Sequence, residues 1–311
     1  MDAFRVLVCD PISDNGLERL KKGGLDVSNE PNISPEELIN KIPEYEVIIV
    51  RSRTKVTEDV IAAGTMLKVI GRAGTGLDNI DVKAANSAGI KVINTPEASV
   101  EAVAELALGL MLSFARNITV ATASMKSGEW LKWELMGSQL KGKTVGVIGL
   151  GRIGTRVSEL CLAFGMRIHA YDPYLSQEKK QLGGQRGVEM VELETLLLNS
   201  DFVTLHLPLS PETRHLISEQ SFSKMKKSAC LINTSRGEIV DEKALLEALQ
   251  SKSIFGAALD VFEVEPPATR ELIDLPSVIC TPHIGSQTRE VHETAALMLV
   301  EKIYETLSSR S

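Results

Sequence analysis

The sequence predicts an α/β protein built from two domains, each with a doubly wound parallel sheet. Strand and helix patterns alternate through most of the 311 residues. Such alternation is typical of parallel strands that are covered by helices on both faces. One long helical pattern, Val100–Ser127, interrupts the alternation, which then resumes. The chain is also long enough for two domains of ordinary size, so the two series predict two separate sheets.

The first ninety or so residues contain four strand patterns with helix patterns between them. Strands are predicted at Phe4–Cys9, Tyr45–Val50, Leu67–Gly71 and Lys91–Asn94, and helices at Asp14–Lys22, Thr57–Ala63 and near Asp81–Ala88. Gly23 and Gly24 end the first of these helices. The run Ser34-Pro35-Glu36-Glu37 predicts a capping box with proline at the first helical position.

The Val100–Ser127 segment has a helical pattern longer than the roughly 8–20 residues common in globular proteins. Small residues recur along it: Ala102, Ala104, Ala107, Gly109 and Ala115. Small side chains allow a second helix to approach closely. Two interpretations are open, a long core helix or a connector between the domains that also forms a dimer contact.

The second series contains six strand patterns, which suits a doubly wound nucleotide-binding domain of the Rossmann type. The strands are predicted at Thr144–Ile148, Arg167–Tyr171, Asp201–Leu205, Ala229–Asn233, Gly256–Leu259 and Val278–Cys280. Helices are predicted at Ile153–Phe164 and Asp241–Leu249, and a last helix at about Thr288–Leu307.

A glycine-rich turn, Gly149-Leu150-Gly151-Arg152-Ile153-Gly154, joins the first strand and helix of this series. A lone GxGxxG is a weak signal, but here it follows an apolar strand and opens an amphipathic helix. Gly149 allows the tight turn, Gly151 lets the backbone approach a pyrophosphate, and Gly154 lets the helix pack close to the sheet. The helix N-terminus then offers free N–H groups to the anion. The segment therefore predicts a dinucleotide site.

Asp172 ends the second strand of this series, 18 residues after Gly154. A carboxylate there can accept hydrogen bonds from the adenosine ribose hydroxyls. It would repel a 2′-phosphate by roughly 4 kcal/mol at contact distance near a protein surface. No arginine stands next to it in Pro173-Tyr174. The sequence therefore favours NAD over NADP.

Three residues in the C-terminal half meet the demands of hydride transfer between NAD and a hydroxy acid. Arg236, Glu265 and His283 each follow a predicted strand, where ligands bind in open α/β sheets. A guanidinium can fix the substrate carboxylate in bidentate geometry. A histidine paired with a carboxylate keeps its proton longer and works as an acid or base near neutral pH. Each residue type alone is ambiguous, but the three together point to catalysis.

The chain is similar from end to end to the D-isomer-specific 2-hydroxyacid dehydrogenase family. The motifs that carry the resemblance are Gly71–Asp81, Asn94-Thr95-Pro96, the Gly149–Gly154 turn, Asn233–Glu242, Asp260–Pro267 and Pro282-His283-Ile284-Gly285. The resemblance implies that Arg236, Glu265 and His283 carry the chemistry. In the oxidative direction His283 would accept the hydroxyl proton as hydride leaves to NAD.

The resemblance also implies a domain arrangement and a set of cofactor contacts. Residues 1–97 and 286–311 would form a flavodoxin-like substrate domain, residues 98–285 the NAD domain, with the active site in the cleft between them. Besides the glycines of the turn, the implied cofactor contacts are Thr75, Arg152, Ile153, Asp172, His206, Leu207, Pro208, Thr234, Ser235, Asp260 and Gly285.

Within the family, the chain is most similar to the phosphoglycerate dehydrogenases. The residues that carry this resemblance are Val50-Arg51-Ser52, Thr54-Lys55-Val56-Thr57, Gly71–Gly76 and Ala123–Gly128. This resemblance implies oxidation of 3-phospho-D-glycerate to 3-phosphooxypyruvate, the first step of phosphorylated serine biosynthesis, in a homodimer joined partly by Val100–Ser127. Besides Arg236 and His283, substrate contacts are expected at Arg51, Ser52, Arg72, Ala73 and Gly74, and more weakly at Arg53 and Lys132. Arg53 and Leu207 depart from the family pattern, which has a smaller residue and a threonine there.

Composition excludes several other functions. The net charge of −7 argues against a nucleic-acid surface. Cys9, Cys161, Cys230 and Cys280 are scattered, which suits a reducing compartment. No histidine pair has zinc-ligand spacing, so no metal is expected. No signal peptide and no membrane span are apparent, so the expected location is the cytoplasm. The chain ends soon after its last helix, so feedback through a C-terminal regulatory domain is not expected.

Two kinds of alternative remain open at this point. The substrate could be another 2-hydroxy acid, through reduction of glyoxylate or hydroxypyruvate. The chain could also be an NAD-sensing binding protein, because transcriptional corepressors share this fold. The remaining histidines receive structural interpretations: His169 lies within a strand, His206 lines the cofactor site without chemistry, and His215 and His292 lie on the surface.

Overall fold

The computed structural model describes residues 3–176, 178 and 183–309. These residues form two compact units. The first unit takes the described residues up to Ser99 and those from Ser286 onward, and the second unit spans Val100–Gly285. Each unit has its own parallel sheet and its own hydrophobic core. The predicted fold class, two α/β domains with parallel sheets, is confirmed.

The first unit contains a parallel sheet of five described strands in the order β2-β1-β3-β4-β5. The strands are β1 Arg5–Val8, β2 Asp26–Asn29, β3 Val47–Val50, β4 Val69–Arg72 and β5 Lys91–Asn94. The helices before Val100 are α1 Asp14–Lys22, α2 Pro35–Lys41, α3 Glu58–Ala63 and α4 Val82–Ser87, with a short 3-10 turn at Ile42–Glu44. The capping box at Ser34 is present as predicted, and Thr57 caps α3.

The final helix, Arg289–Ser308, packs on one face of this sheet. Its apolar residues Leu299 and Ile303 join Val6, Val8 and Val47 in one hydrophobic cluster. Gly71 has no side chain on the face of β4 that meets the helix, and a Cβ there would touch Leu299 at 3.2 Å. The chain thus returns to its first unit after completing the second.

The second unit contains a parallel sheet of seven described strands in the order β12-β11-β10-β9-β6-β7-β8. The strands are β6 Thr144–Ile148, β7 Arg167–Tyr171, β8 Val188–Met190, β9 Phe202–Leu205, β10 Cys230–Asn233, β11 Gly256–Leu259 and β12 Val278–Cys280. The helices are α5 Val100–Ala115, α6 Ile118–Lys126, α7 Arg152–Ala163, α8 Leu193–Asn199, α9 Glu219–Lys224 and α10 Glu242–Gln250, with a 3-10 turn at Gly237–Ile239.

The single helix predicted over Val100–Ser127 is wrong, because the segment forms two helices bent by 64°. Asn117 separates them with φ of 53°, a left-handed conformation that ends regular helix. Eight residues of α5 are buried in the core of the second unit, so α5 is a core helix. In the described part of the chain no single helix is long and apolar enough to cross a membrane; α5 and α6 meet that test only as a bent pair.

The two edge strands β2 and β8 were not predicted. Asp26–Asn29 is half exposed and carries three polar side chains, and Val188–Met190 has only three residues. Such strands lack the continuous apolar run that marks the buried strands, for example the fully buried β3, Val47–Val50. The predicted six-strand series therefore becomes seven strands.

Each sheet has a point where the strand order reverses, and ligands bind outside the strand ends at such points in open α/β sheets. In the second unit the order reverses between β6 and β9. The Gly149 turn follows β6 and His206 follows β9. In the first unit the order reverses between β1 and β3. Asp10 lies just after β1, and Arg51 directly follows β3.

Candidate active site

The glycine turn follows β6 and leads into α7 without a break. Gly149 has φ of 92°, and a Cβ there would overlap the carbonyl oxygen of His206. A Cβ on Gly154 would overlap the Gly149 carbonyl oxygen, whereas a Cβ on Gly151 would meet no atom within 4 Å. Gly149 and Gly154 are therefore required by the turn itself. Gly151 instead leaves open space in front of the helix N-terminus, where an anion can bind.

Asp172 lies beside this turn. Its Oδ2 accepts a hydrogen bond from the Leu150 N–H at 3.0 Å, and its Oδ1 accepts one from the Tyr174 N–H at 3.0 Å. Each carboxylate oxygen keeps further acceptor capacity. The negative charge is thus fixed beside the Gly149–Gly154 turn. A carboxylate there can accept hydrogen bonds from ribose hydroxyls and would repel a 2′-phosphate.

The loops after β9 and β10 carry four further expected cofactor contacts. Leu207 is partly buried against the core, and Pro208 is exposed. Ser235 is buried and donates from Oγ to Asn233 Oδ1 at 2.9 Å. The buried hydroxyl oxygen of Thr234 has no hydrogen-bond partner among the described residues. A buried hydroxyl without a partner is costly, so Thr234 fits a loop that receives a polar ligand.

His206 lies at the end of β9, and its Nε2 is 3.0 Å from Thr204 Oγ1. Removal from water lowers the pKa of His206 to about 3. The imidazole is therefore neutral near pH 7 and cannot serve as a proton donor of ordinary strength. This agrees with a lining role without proton chemistry.

Arg236, Glu265 and His283 follow β10, β11 and β12, three adjacent strands of the second sheet. His283 Nδ1 lies 2.7 Å from Glu265 Oε2. Because a carboxylate only accepts, Nδ1 carries the proton and Nε2 is left to face a substrate. Arg236 is partly buried and donates from Nη1 to the Ser235 carbonyl at 2.6 Å.

The electrostatics of the three residues are coupled. The hydrogen bond to Glu265 raises the pKa of His283, although partial burial and the charge of Arg236 act against the rise. Burial acts to raise the pKa of Glu265, but the hydrogen bond and charge of His283, with the charge of Arg236, lower it overall. The pair is therefore an ionised carboxylate beside a histidine that titrates above its ordinary value. Such a pair can take or give a proton near neutral pH.

Asp260 holds the loop that carries His283. Its buried carboxylate accepts from Thr281 Oγ1 at 2.6 Å and from the N–H groups of Ile284 and Gly285 at 2.8 Å each. The Asp260 carbonyl accepts from the His283 N–H at 2.8 Å. His283 itself has φ of 51°, which a non-glycine residue adopts only when its surroundings fix it. Sequence reasoning identified Asp260 only as a cofactor contact and missed this positioning role.

In the first unit, the expected substrate residues lie at the carboxyl ends of β3 and β4. Arg51 directly follows β3 and is partly buried, and Ser52 is exposed. Arg72 is the last residue of β4 and donates from Nη1 to the Ala73 carbonyl at 3.2 Å. Gly74 has φ of 148°, and the Arg72 guanidinium occupies the place of its missing side chain.

Several other residues expected near the substrate or the cofactor have contacts of their own. Ala73 is buried, and Thr75 Oγ1 is 2.7 Å from Ser99 Oγ. Arg53 donates to Asp10 Oδ1 at 3.0 Å and to two backbone carbonyls at 2.6 Å each. The Arg53 guanidinium is thus already used within the unit. The Nζ of Lys132 lies 4.9 Å from the centre of the Trp133 ring.

His292 was expected on the surface but lies partly buried in the first turns of the final helix. Its Nδ1 is 3.1 Å from Arg51 Nη1, and its Nε2 is 2.9 Å from Arg51 Nη2. Nε2 also lies 2.9 Å from Gln287 Oε1. Sequence reasoning missed this contact because it joins residues 241 positions apart, and no local pattern marks it.

The described residues contain no group of three or more histidine, cysteine, aspartate or glutamate side chains arranged to hold a metal ion.

Comparison with known proteins agrees with this geometry. Residues 108–285 match the NAD-binding domain of the D-isomer-specific 2-hydroxyacid dehydrogenases. The chain is 49% identical to a hydroxypyruvate reductase of Thermotoga maritima over 99% of both chains. It is also 49% identical to a D-3-phosphoglycerate dehydrogenase of Methanocaldococcus jannaschii, over 97% of this chain and 57% of the relative. The chain thus spans just over half of that second relative.

A solved structure with a closely similar fold is D-lactate dehydrogenase of Aquifex aeolicus, in complex with NAD and lactic acid. It shares 30% identity with the chain at a TM-score of 0.85, covering 98% of this chain and 96% of that one.

The fold and the matched NAD-binding domain define a nucleotide-dependent dehydrogenase. The chain belongs to the D-isomer-specific 2-hydroxyacid dehydrogenase family. The expectations of an NAD-dependent dehydrogenase for D-2-hydroxy acids and of NAD as its cofactor are confirmed. When bound, NAD supplies the acceptor or donor of the hydride.

Proposed function

We propose that His283, Glu265 and Arg236 carry the reaction of this dehydrogenase. The observation that supports this most directly is the 2.7 Å contact between His283 Nδ1 and Glu265 Oε2. In the oxidative direction, His283 Nε2 accepts the proton of the substrate hydroxyl while Glu265 stabilises the imidazolium that forms. Arg236 holds the substrate carboxylate through its guanidinium. In the reductive direction, the same imidazolium returns the proton to the carbonyl oxygen.

We propose further that the substrate is 3-phospho-D-glycerate, oxidised to 3-phosphooxypyruvate in the first step of phosphorylated serine biosynthesis. A phosphorylated acid needs cations besides the one that binds its carboxylate. Arg51 and Arg72, at the ends of β3 and β4, supply two. Among the described residues Arg51 forms no ion pair, so its charge is available to a ligand. Similarity to the phosphoglycerate dehydrogenases points the same way.

A second candidate is reduction of hydroxypyruvate. It is favoured by the hydroxypyruvate reductase of Thermotoga maritima, which matches this chain over 99% of both lengths. Hydroxypyruvate has no phosphate, so it makes no demand on Arg51. The two candidates therefore differ in whether Arg51 and Arg72 are needed to bind a phosphate.

A substrate panel separates the candidates. Steady-state rates are measured with NAD for 3-phospho-D-glycerate and D-glycerate, and with NADH for hydroxypyruvate and glyoxylate. The proposal expects kcat/KM for 3-phospho-D-glycerate to exceed that for D-glycerate by at least about tenfold. It also expects Arg51→Gln to remove only this preference. Equal values for the two acids would reject the phosphorylated substrate and favour the second candidate.

The same protein tests the catalytic role of His283. We expect His283→Asn to lower kcat by roughly 10²–10⁴-fold, the usual contribution of general acid–base catalysis. NAD binding, followed by fluorescence titration with NADH, should be unchanged because the Gly149–Gly154 turn is intact. Turnover that persists in this variant would contradict the assignment. Absence of turnover in the unmodified protein, with NADH still bound, would favour the NAD-sensing alternative.

We also propose that the protein acts as a homodimer, and that residues 118–136 contribute the contact. Six large apolar side chains are exposed there: Ile118, Val120, Met125, Trp130, Trp133 and Met136. Both tryptophans of the chain are among them, 74% and 80% exposed. Large apolar side chains exposed together in one segment favour an interaction surface. The buried α5, by contrast, has little apolar surface left to offer.

A further inference from the structure

The loop after β3 and the start of the final helix bring two basic side chains together in the first unit. Arg51 Nη1 and Nη2 lie 3.1 and 2.9 Å from the two ring nitrogens of His292. Both side chains are partly buried. Among the described residues neither forms an ion pair with a carboxylate. The Arg51 guanidinium thus contacts an imidazole, while the charge of the nearby Asp10 acts on it without an ion pair. This is an unusual arrangement for a half-buried cation, because buried charges are normally paired.

The contact between Arg51 and His292 has more N–H donors than acceptors. A guanidinium offers only N–H groups, and a neutral imidazole has one nitrogen that can accept. Since each ring nitrogen faces an Arg51 nitrogen, one of the two contacts brings two N–H groups together in either tautomer. Gln287 Oε1, 2.9 Å from His292 Nε2, accepts one of these hydrogens. An anion that accepts from both Arg51 and His292 would satisfy the rest.

The carboxylates near this pair are engaged elsewhere. Asp10 accepts from the backbone N–H of Arg51 and from the side chain of Arg53. Glu293, the next residue along the helix, accepts from Asn15 at 2.7 Å. The charged group that acts on His292 is therefore Arg51, and partial burial together with this charge lowers the pKa of His292. His292 is therefore neutral near pH 7.

The position in the fold is also that of a ligand site. Arg51 leaves the sheet at the point between β1 and β3 where the strand order reverses, which is where open α/β sheets bind ligands. His292 stands in the first turns of the 20-residue final helix, whose N-terminal end favours negative charge.

We propose that Arg51 and His292 form a proton-linked subsite for the phosphate of the substrate, in which His292 takes up a proton as the anion binds. The inference rests on the proposed phosphorylated substrate and names the residue that tunes affinity for it. A doubly charged phosphate beside His292 favours the imidazolium, which then donates to the phosphate together with Arg51. Affinity for the phosphorylated substrate should therefore rise as the pH falls through the pKa of His292 in the complex.

The test compares the unmodified enzyme with His292→Gln, which keeps a polar side chain but cannot be protonated. KM and kcat for 3-phospho-D-glycerate and D-glycerate are measured with saturating NAD between pH 6.5 and pH 9. The ratio of KM for the phosphorylated acid, variant over unmodified, should be near one at pH 9. It should rise to about tenfold at pH 6.5, since one unit of pKa change corresponds to a tenfold change in affinity. Ionisation of the phosphate itself cancels in this ratio.

Three readouts keep the test specific. The kcat values and the KM for D-glycerate should not differ between the two proteins. His169→Gln, which replaces a partly buried histidine in β7, is the matched control and should behave like the unmodified enzyme. If His292→Gln does not fold, calorimetry of the unmodified enzyme replaces it. The enzyme is saturated with NADH and titrated with each acid in buffers of different ionisation enthalpy. Proton uptake at pH 7.5 is then expected with 3-phospho-D-glycerate and not with D-glycerate.

The possible failures are distinguishable. A strong preference for the phosphorylated acid, with a KM ratio that stays flat across the pH range, overturns the role of His292 and leaves the proposed substrate standing. Equal kcat/KM for 3-phospho-D-glycerate and D-glycerate in the unmodified enzyme overturns both. Proton uptake that is the same for the two acids also overturns the inference, because D-glycerate carries no phosphate.

Discussion

At the scale of single residues, the proposed chemistry depends on one histidine, His283, that is hydrogen-bonded to the Glu265 carboxylate. Glu265 raises the pKa of His283, and the charge of Arg236 opposes the rise. In the proposed mechanism the unprotonated His283 is the base for oxidation, and the protonated His283 is the acid for reduction. Oxidation should therefore be lost as the pH falls through this pKa, and reduction as the pH rises through it.

We predict that Glu265→Gln moves both pH profiles toward lower pH. The amide removes the negative charge that raises the pKa of His283, so the acidic limb for oxidation and the alkaline limb for reduction shift in the same direction. We also expect kcat for oxidation to fall by about tenfold, because a less basic histidine is a weaker proton acceptor. The measurement is log kcat/KM against pH in both directions.

Glu263→Gln is the control for this shift, since Glu263 lies two residues away but faces His215 at 3.1 Å instead. Its pH profiles should coincide with those of the unmodified enzyme. A Glu265→Gln profile that does not move would show that another group governs the protonation of His283.

What the sequence could predict at this scale was residue type and position along the chain. Arg236, Glu265 and His283 could be chosen because each follows a strand and each has the required chemistry. The bonds from Asp260 to the His283 loop and the contact of Arg51 with His292 could not, since they depend on side-chain directions and join distant segments. Local patterns carry no information about such pairings.

At the scale of elements, the glycines of the Gly149–Gly154 turn meet two different requirements, one for folding of the turn and one for space beside the helix N-terminus. Gly154 is needed by the fold, because any Cβ there overlaps the Gly149 carbonyl. Gly151 is not needed by the fold, because its missing side chain would meet only open space. The space in front of Gly151 is where the motif predicts the pyrophosphate of NAD to bind.

We predict opposite effects for two alanine substitutions in this turn. Gly154→Ala should destabilise the protein by about 1–3 kcal/mol, as overpacking of a fixed backbone does, and lower its melting temperature. Gly151→Ala should leave the melting temperature without cofactor within about a degree, yet weaken NADH binding about tenfold or more. Differential scanning fluorimetry and NADH titration give the two readouts. A loss of stability in Gly151→Ala, or tight NADH binding by it, would contradict this division.

The elements themselves could be predicted where apolar periodicity was strong and not where it was weak. The buried strands and α1 match their predicted positions closely, whereas the polar edge strand β2 and the three-residue β8 were missed. The break in Val100–Ser127 was missed for another reason. Asn117 reads as an ordinary polar residue in a helical pattern, and only packing of both helices fixes its left-handed conformation.

At the scale of the whole molecule, the remaining question is how the exposed apolar side chains of residues 118–136 are covered. Trp130 and Trp133 bury large areas when they enter an interface, and tryptophan is enriched among the residues that dominate binding energy. We predict that Trp130→Ala with Trp133→Ala weakens dimerisation by at least about 2 kcal/mol, roughly 30-fold in Kd. Sedimentation equilibrium over a range of protein concentrations measures this directly.

Leu198→Ala is the matched control, because Leu198 is also an exposed apolar side chain of the second unit but lies on α8, away in sequence from residues 118–136. It should dimerise like the unmodified protein. The double variant should keep its NADH affinity, since neither tryptophan belongs to the Gly149–Gly154 turn or to the loops beside it. If the double variant forms a dimer of unchanged stability, the contact lies on another surface. If the unmodified protein is monomeric at micromolar concentration, these side chains have no role in assembly.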